Sequence, residues 1–377
     1  MQIIDQGIIF DATQQPAQRR FNCFTSVCVL SDGRILVAFR TGSSKDSPDE
    51  NIIMRLSADG GKSWRTVFEG LEMTVDGVRG AWRHAAISEL RPGRLIGVFC
   101  WFDRSNPPAP LANPQTQGVL PSRVFVLESS DAGHTWGERR EIVTKPYEGI
   151  ATTGPAMRLA GGALAIPYEA WKSYYDTRPG EHHALLRIST DGAHTFEPAV
   201  IVAHDPAANL FFWDQRLTVD PETGRLVGLF WTHDRAAGQD RNIHIAWGSP
   251  DGHQWTPPAD TGIAGQIASP LCLPGGRLLM VYVHRHEPPT LRAVLSRDFG
   301  RTWDVANELT FYNSWAGRES GMGGRRDFGD YWADMSVWSF GHPDPVRLAD
   351  GDVFVAFYAG DSSAMGMRWV RLSIPKA

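Results

Sequence analysis

Ser57-Ala-Asp59-Gly-Gly61-Lys-Ser63-Trp64 decides the reading of this chain, because the phrase Ser-x-Asp-x-Gly-x-(Thr/Ser)-(Trp/Phe) keeps returning along it. It recurs as Ser129-Ser-Asp131-Ala-Gly133-His-Thr135-Trp136, as Ser189-Thr-Asp191-Gly-Ala193-His-Thr195-Phe196 and as Ser296-Arg-Asp298-Phe-Gly300-Arg-Thr302-Trp303. A shortened copy sits at Ser249-Pro-Asp251-Gly-His-Gln-Trp255. The opening serines step by 72, 60, 60 and 47 residues. Spacing of this order points to a stacked or circular repeat, in which each unit buries its apolar face against the next.

Each copy follows a β-rich run such as Asn51-Ile-Ile-Met-Arg-Leu56. Asp and Ser side chains that bond their own turn, with glycine at the left-handed position, make the phrase a hairpin turn. Its final aromatic is placed to fold back between neighbouring repeats. Upstream lies a second hairpin, as in Val27-Cys-Val-Leu-Ser-Asp32-Gly33-Arg-Ile-Leu-Val-Ala-Phe39. One repeat is thus four antiparallel strands, A to D, with the phrase at the C–D turn: a propeller blade. A–B turns at Asp32-Gly33, Pro92-Gly93, Gly161-Gly162, Glu222-Thr-Gly224, Gly275-Gly276 and Asp350-Gly351 count six blades. The last blade runs out of chain after its C strand, near Met367–Ser373. The N-terminal run Ile3–Phe10 is expected to supply the missing strand and close the ring, removing two open edges. The expected fold is all-β, a six-bladed β-propeller of four-stranded antiparallel blades, with residues 1–377 as one domain.

Composition narrows the partners. A net charge of −5 argues against nucleic acid, which needs a basic stripe. No apolar run is long enough to span a membrane. The opening Met-Gln-Ile-Ile-Asp-Gln lacks a basic region followed by an apolar core, so a cytoplasmic location is expected. Cys23, Cys28, Cys100 and Cys272 show no metal spacing and read as buried thiols.

Boxes, blade count and length together resemble the sialidase (neuraminidase) superfamily, in which the phrase is called the Asp-box. The resemblance covers nearly the whole chain. It implies a sugar-binding face opposite the box turns, built from residues just before each A strand and just after each B strand. Sialidases open their first A strand with an Arg that clamps the substrate carboxylate; Cys23 falls at that place here, with Arg20 close but out of step. His342 falls where the family's nucleophilic Tyr opens the last blade. The Glu that activates that Tyr should open a middle blade, where this chain has Phe212-Trp213-Asp214-Gln215-Arg216. Asp49, in the first B–C loop, roughly matches the family's general acid.

The polar residues expected on that face point to sugar chemistry on an anionic substrate. His84 and His342, titrating near neutrality, are candidates for acid or base. Glycosidases use two carboxyl groups, and Asp49, Glu169 and Asp214 are the candidates; Tyr331 is a substitute nucleophile. Arg40, Arg83, Arg216, Arg235 and Arg285 are candidates for holding a substrate carboxylate. Trp101, Trp171 and Trp213 are candidates for stacking on a pyranose. Loops Thr41–Glu50, Phe102–Ser122, Trp171–His183 and Asp304–Trp338 are expected to wall the pocket. Each residue also has a plainer reading: a capping histidine, a surface charge, a solvated turn aspartate, a packing tryptophan. His284 and His286 share a strand face but have no further partners, so no metal and no cofactor are expected.

Three functions fit these residues. The first is an exo-sialidase-like glycoside hydrolase acting on an acidic sugar. The second is a polysaccharide lyase, in which a His or Tyr takes the proton beside a uronic carboxylate that Arg neutralises. The third is a carbohydrate-binding propeller without catalysis.

Overall fold

Apolar runs flanking each Asp/Gly turn become antiparallel strands in the computed structural model of the chain, which describes residues 1–286, 288–313, 326–335 and 338–375. Among the described residues the strands form five sheets. Four of them repeat one plan. In the first of these, Val78–Arg91 pairs with Arg94–Asp103, then Ser122–Ser129, then Arg140–Ile142. The plan recurs around Leu164–Ala170, from Leu210–Val219 and from Ala268–Leu273. Such repetition is an all-β, propeller-like arrangement.

The fifth sheet has eight strands. One run leads from Phe21–Val29 to Arg65–Phe68 and the other from Phe340–Arg347 to Met365–Ser373; a single parallel bridge, Phe21 to Met365, joins them. Gln2–Phe10 lies antiparallel on Met365–Ser373, with Gln6 opposite Val370. The first strands of successive sheets touch one another. Phe21–Val29 contacts Val78–Arg91, which contacts Met157–Arg158; this touches Leu210–Val219, then Ala268–Leu273, then Phe340–Arg347, which returns to Phe21–Val29.

The core lies between sheets. Strands such as Ile35–Gly42, Leu226–Asp234 and Val353–Gly360 are buried along most of their length on both faces, because each sheet is covered on either side by a neighbour.

The boxes are built alike. In the first, Ser57 Oγ donates to Asp59 Oδ1 at 2.8 Å and accepts from Gly61 N at 2.8 Å, while Ser63 N donates to Asp59 Oδ1 at 2.9 Å. The same bonds recur at Ser129/Asp131, Ser189/Asp191 and Ser296/Asp298. In the last box the glycine is required twice over: Gly300 has φ +84°, and a Cβ there would lie 2.4 Å from Ile245 of the adjacent sheet, whereas the third box holds Ala193 at this place with φ 67°. The box aromatics are half-buried at the edges of these packing layers, Trp64 beside Phe354 and Trp136 edge-on to Phe99.

One expectation is revised. Where the sequence reads as a loop from Asp304 to Trp338, the chain forms a strand, Leu309–Asn313, and a helix, Phe328–Met335. Residues 314–325 and 336–337 of that stretch lie outside the described residues.

Candidate functional site

Four first strands slip register at corresponding places: between Cys23 and Ser26, Trp82 and His84, Trp213 and Arg216, and Gly341 and Asp344. Three of these bulges hold a non-glycine residue in the left-handed region, Phe24 at φ 57°, Asp214 at φ 48° and His342 at φ 45°. A bulge re-aims a side chain, and backbone strain of this kind gathers at functional sites. Here it turns all three side chains into adjoining cavities.

The larger cavity, about 520 Å³, is bounded by Phe24, Arg40, Lys45, Asp46, Arg83, His342 and Tyr358. The smaller, about 120 Å³, is bounded by His84, Glu169, Trp171, Trp213 and Asp214. The helix Phe328–Met335 stands between them, with Phe328, Trp332 and Met335 lining both. A third cavity, about 270 Å³, lies further along the first strands toward the box turns; it holds Arg216 and Asp344 and shares His84 with the second.

The floor of the large cavity is cationic. Fully buried Glu50 accepts from Arg40 at 2.6 Å and from Arg83 at 2.9 Å on each oxygen. Arg40 also donates to Cys23 Sγ at 2.6 Å, and both guanidiniums sit over the Phe24 ring, 4.8 and 5.6 Å from its centroid. Lys45 donates to the Trp338 carbonyl and to the Tyr358 hydroxyl. Asp46 lies 3.5 Å from Arg83 and pairs with Arg104. Burial pushes the Asp46 carboxyl up, but these two guanidiniums outweigh it and hold it below the ordinary range. Asp327 and Asp330 occupy the exposed rim.

Two carboxyl residues, Glu169 and Asp214, line the smaller cavity. Glu169 Oε2 accepts from the Asp214 amide at 2.9 Å and lies 3.2 Å from His182 Nε2. Asp214 is pushed up to about 7, chiefly by burial, with Glu169 adding to the effect and Arg216, 3.2 Å away, opposing it.

Both histidines are neutral. Burial pushes His84 down to about 3, helped by the charge of Arg216, and its Nδ1 lies 2.8 Å from Thr152 Oγ1. His342 is held well below its ordinary value by burial and by Arg216, which donates to its Nδ1 at 2.9 Å. The expectation that the pair titrates near neutrality is therefore revised: low-dielectric surroundings beside a fixed cation disfavour imidazolium.

The structure brings together Arg40, Arg83, His84, Glu169, Trp171, Trp213, Asp214 and His342, and sets Arg216 just beyond them. The other candidates lie elsewhere. Asp49 accepts from Ser43 N and Oγ within its own loop, outside the cavities. Trp101 is core: its Nε1 donates to the Met73 carbonyl and its indole fills the space above Gly80. Arg235 is exposed and donates to the Gly180 carbonyl at 3.4 Å. Arg285 is buried, donating to the Phe340 carbonyl at 2.7 Å and stacking on Trp338. Tyr331 is buried with its hydroxyl on Asp240 at 2.7 Å, and burial with that neighbour pushes its pKa further up, away from a nucleophile's range. Lys45, Glu50, His182 and Tyr358 join the site without having been singled out in the sequence.

Residues 111–355 match the BNR repeat-like domain family, and the chain belongs to it. No curated protein sequence matches the chain. Among solved structures, a protein of unknown function from Dyadobacter fermentans is 19% identical, with a TM-score of 0.71 over 99% of each chain. The intramolecular trans-sialidase from Ruminococcus gnavus is 11% identical, with a TM-score of 0.65 over 99% of this chain and 98% of its own. An α-L-arabinanase from Penicillium chrysogenum is 13% identical, with a TM-score of 0.64 over 99% of each. At these identities the likeness is one of fold.

Proposed function

We propose that the chain is a sialidase-like glycoside hydrolase that cleaves an acidic sugar or glycan in the adjoining axial cavities. The scaffold is read as one domain of six blades, the eight-stranded sheet counting as two and Gln2–Phe10 closing the ring; the cycle of contacts among first strands supports that count.

The observation that carries the function is the Glu169–Asp214 pair. A glycosidase needs one carboxyl that keeps its proton and one that acts as base or nucleophile, and environment sets the two apart. Asp214, pushed up to about 7, keeps its proton near neutrality and is the general acid. Glu169, receiving the Asp214 amide and facing His182, takes the complementary role. Arg40, Lys45 and Arg83 favour a carboxylate in the adjoining cavity. Trp171 and Trp213 offer aromatic walls. Neutral histidines with such low basicity weigh against proton abstraction by a lyase, and a shifted carboxyl weighs against a purely binding pocket.

Assay of the purified protein on aryl glycosides of acidic and neutral sugars and on uronic polysaccharides tests this. Hydrolysis of acidic glycosides is expected, with Asp214→Asn slowing kcat by roughly 10²–10⁴-fold. Undiminished turnover by Asp214→Asn, or an unsaturated product absorbing in the near ultraviolet, overturns it.

A further inference from the structure

We propose a separate binding site for a divalent metal ion of the zinc class, formed by Glu181, His183 and His204. Glu181 and His183 end the loop that follows the strand Leu164–Ala170, and His204 follows Val200–Ala203. One donor atom of each lies within 4.8 Å of the other two. Glu181 Oε1 is 3.3 Å from His204 Nε2 and 3.6 Å from His183 Nε2. Tetrahedral zinc binds N and O at about 2.0–2.1 Å, which sets ligand atoms roughly 3.3–3.4 Å apart. Two edges of the triangle are already close to that spacing.

The hydrogen bonding leaves a place for a cation. His204 Nδ1 lies 3.0 Å from the carbonyl oxygen of His182, so that nitrogen carries the proton and Nε2 presents its lone pair. This is the outer-partner arrangement that orients metal-bound imidazoles. The lone pair faces a carboxylate oxygen, and two acceptors at that distance need a proton or a metal ion between them. The imidazoles of His183 and His204 are stacked, 3.9 Å between centroids and 10° between planes. Protonating both would set two charges face to face, whereas one metal ion answers all three donors. Two imidazoles and one carboxylate suit zinc better than calcium or magnesium and leave a fourth position for water.

The site is distinct from the axial cavities. His182 faces Glu169, while its neighbour His183 belongs to the outer cluster. It also differs from His284 and His286, which share a strand face but where the sequence gives no expectation of metal.

Calorimetric titration of the untagged full chain with zinc chloride is expected to show one ion per chain, with a dissociation constant in the micromolar range or below. Cobalt(II) in its place is expected to give the visible bands of a four-coordinate ion. His183→Ala and His204→Ala should each weaken zinc binding at least tenfold, Glu181→Gln should weaken it by a similar amount, and His284→Ala should leave it unchanged. Circular dichroism checks that each variant is folded; should one imidazole variant fail to fold, the other and Glu181→Gln carry the test. Absence of stoichiometric binding at millimolar zinc, affinity unchanged in the folded variants, or loss in His284→Ala overturns the proposal. None of these measurements reads glycosidase activity, so the two proposals fail separately.

Discussion

Arg216 donates to His342 Nδ1 at 2.9 Å, joining two first strands whose residues stand 126 apart in sequence. The same guanidinium lies 3.2 Å from Asp214 and also donates to the Thr153 carbonyl. One cation thus fixes the imidazole tautomer, with the His342 proton on Nε2, and tempers the rise in the Asp214 pKa. Burial disfavours the charged form of Asp214 and of the histidines alike, raising the carboxyl pKa and lowering the imidazole ones, so stability responds to pH with opposite sign at the two kinds of group.

Asp214 is raised from 3.8 to about 7, so folding takes up a proton there. Its contribution to stability is complete below about pH 4 and is lost as pH rises to about 7. Asp214→Asn removes that loss. The variant is expected to melt above the wild type at pH 8, with a gap that narrows by pH 5, while its turnover collapses. Thermal unfolding at the two pH values measures this, and a gap that does not depend on pH would contradict the assignment.

His84 runs the other way. Its folded pKa, down at about 3, lies below the unfolded value near 6.5, so its contribution is present above 6.5 and is lost as pH falls toward 3. His84→Gln, which keeps a partner for Thr152, is expected to flatten the acid limb of the stability profile. Urea midpoints across pH 4–7 read the effect, and an unaltered acid limb would show that His84 does not titrate in that way.

Glu50 is the counter-charge for two buried guanidiniums. Glu50→Ala takes this carboxylate from both, leaving Arg83 with Asp46 at 3.5 Å, and breaking a buried pair in this way costs about 3–5 kcal/mol. Glu50→Gln keeps acceptor geometry and should lose less. Urea unfolding of the two variants tests the order; equal losses would mean that the charge, which both variants lack, carries the whole effect and that the retained acceptor adds nothing.

Asp131 stands for the boxes. Asp131→Ala removes the acceptor for Thr135 N at 2.9 Å, Thr135 Oγ1 at 2.6 Å and Ser129 Oγ at 2.8 Å. At so exposed a turn the net loss is about 1–2 kcal/mol. The melting temperature is expected to fall while kcat and KM stay at wild-type values. A change in kcat would bring the box face into the chemistry.

The boxes were legible because each closes its Ser and Asp hydrogen bonds within seven residues, from Ser57 to Ser63 and at the same offsets in the other full copies. The site was legible only in outline. Strand order brought Glu169, Asp214 and His342 to one face, but partners decide what each side chain does there. Lys45 bonds residues 293 and 313 positions away, and Arg83 reaches Glu50 across 33. Trp101 lies near the end of a second strand and Trp171 just past one, yet only Trp171 faces a cavity. Gly80 makes the difference, since a Cβ there would sit 2.0 Å from the Trp101 indole. A glycine opposite a tryptophan is a cue that sequence carries, though strand register is needed to see it.

Phe24, Asp214 and His342, held in the left-handed region, have a consequence for breeding a hardier protein. Each position leaves roughly 1–3 kcal/mol of backbone strain in the native state. Selection for heat resistance alone would therefore reach those three codons along with Asp76, Gln117, Ala132, Ala193, Ala208 and Phe299, which share that region and where glycine or asparagine relaxes the chain. Every such success at the first three would blunt the carboxyl or ring that the kink aims. A programme that wants both endurance and turnover should leave those three fixed and look for its gains in the outer strands and rim turns.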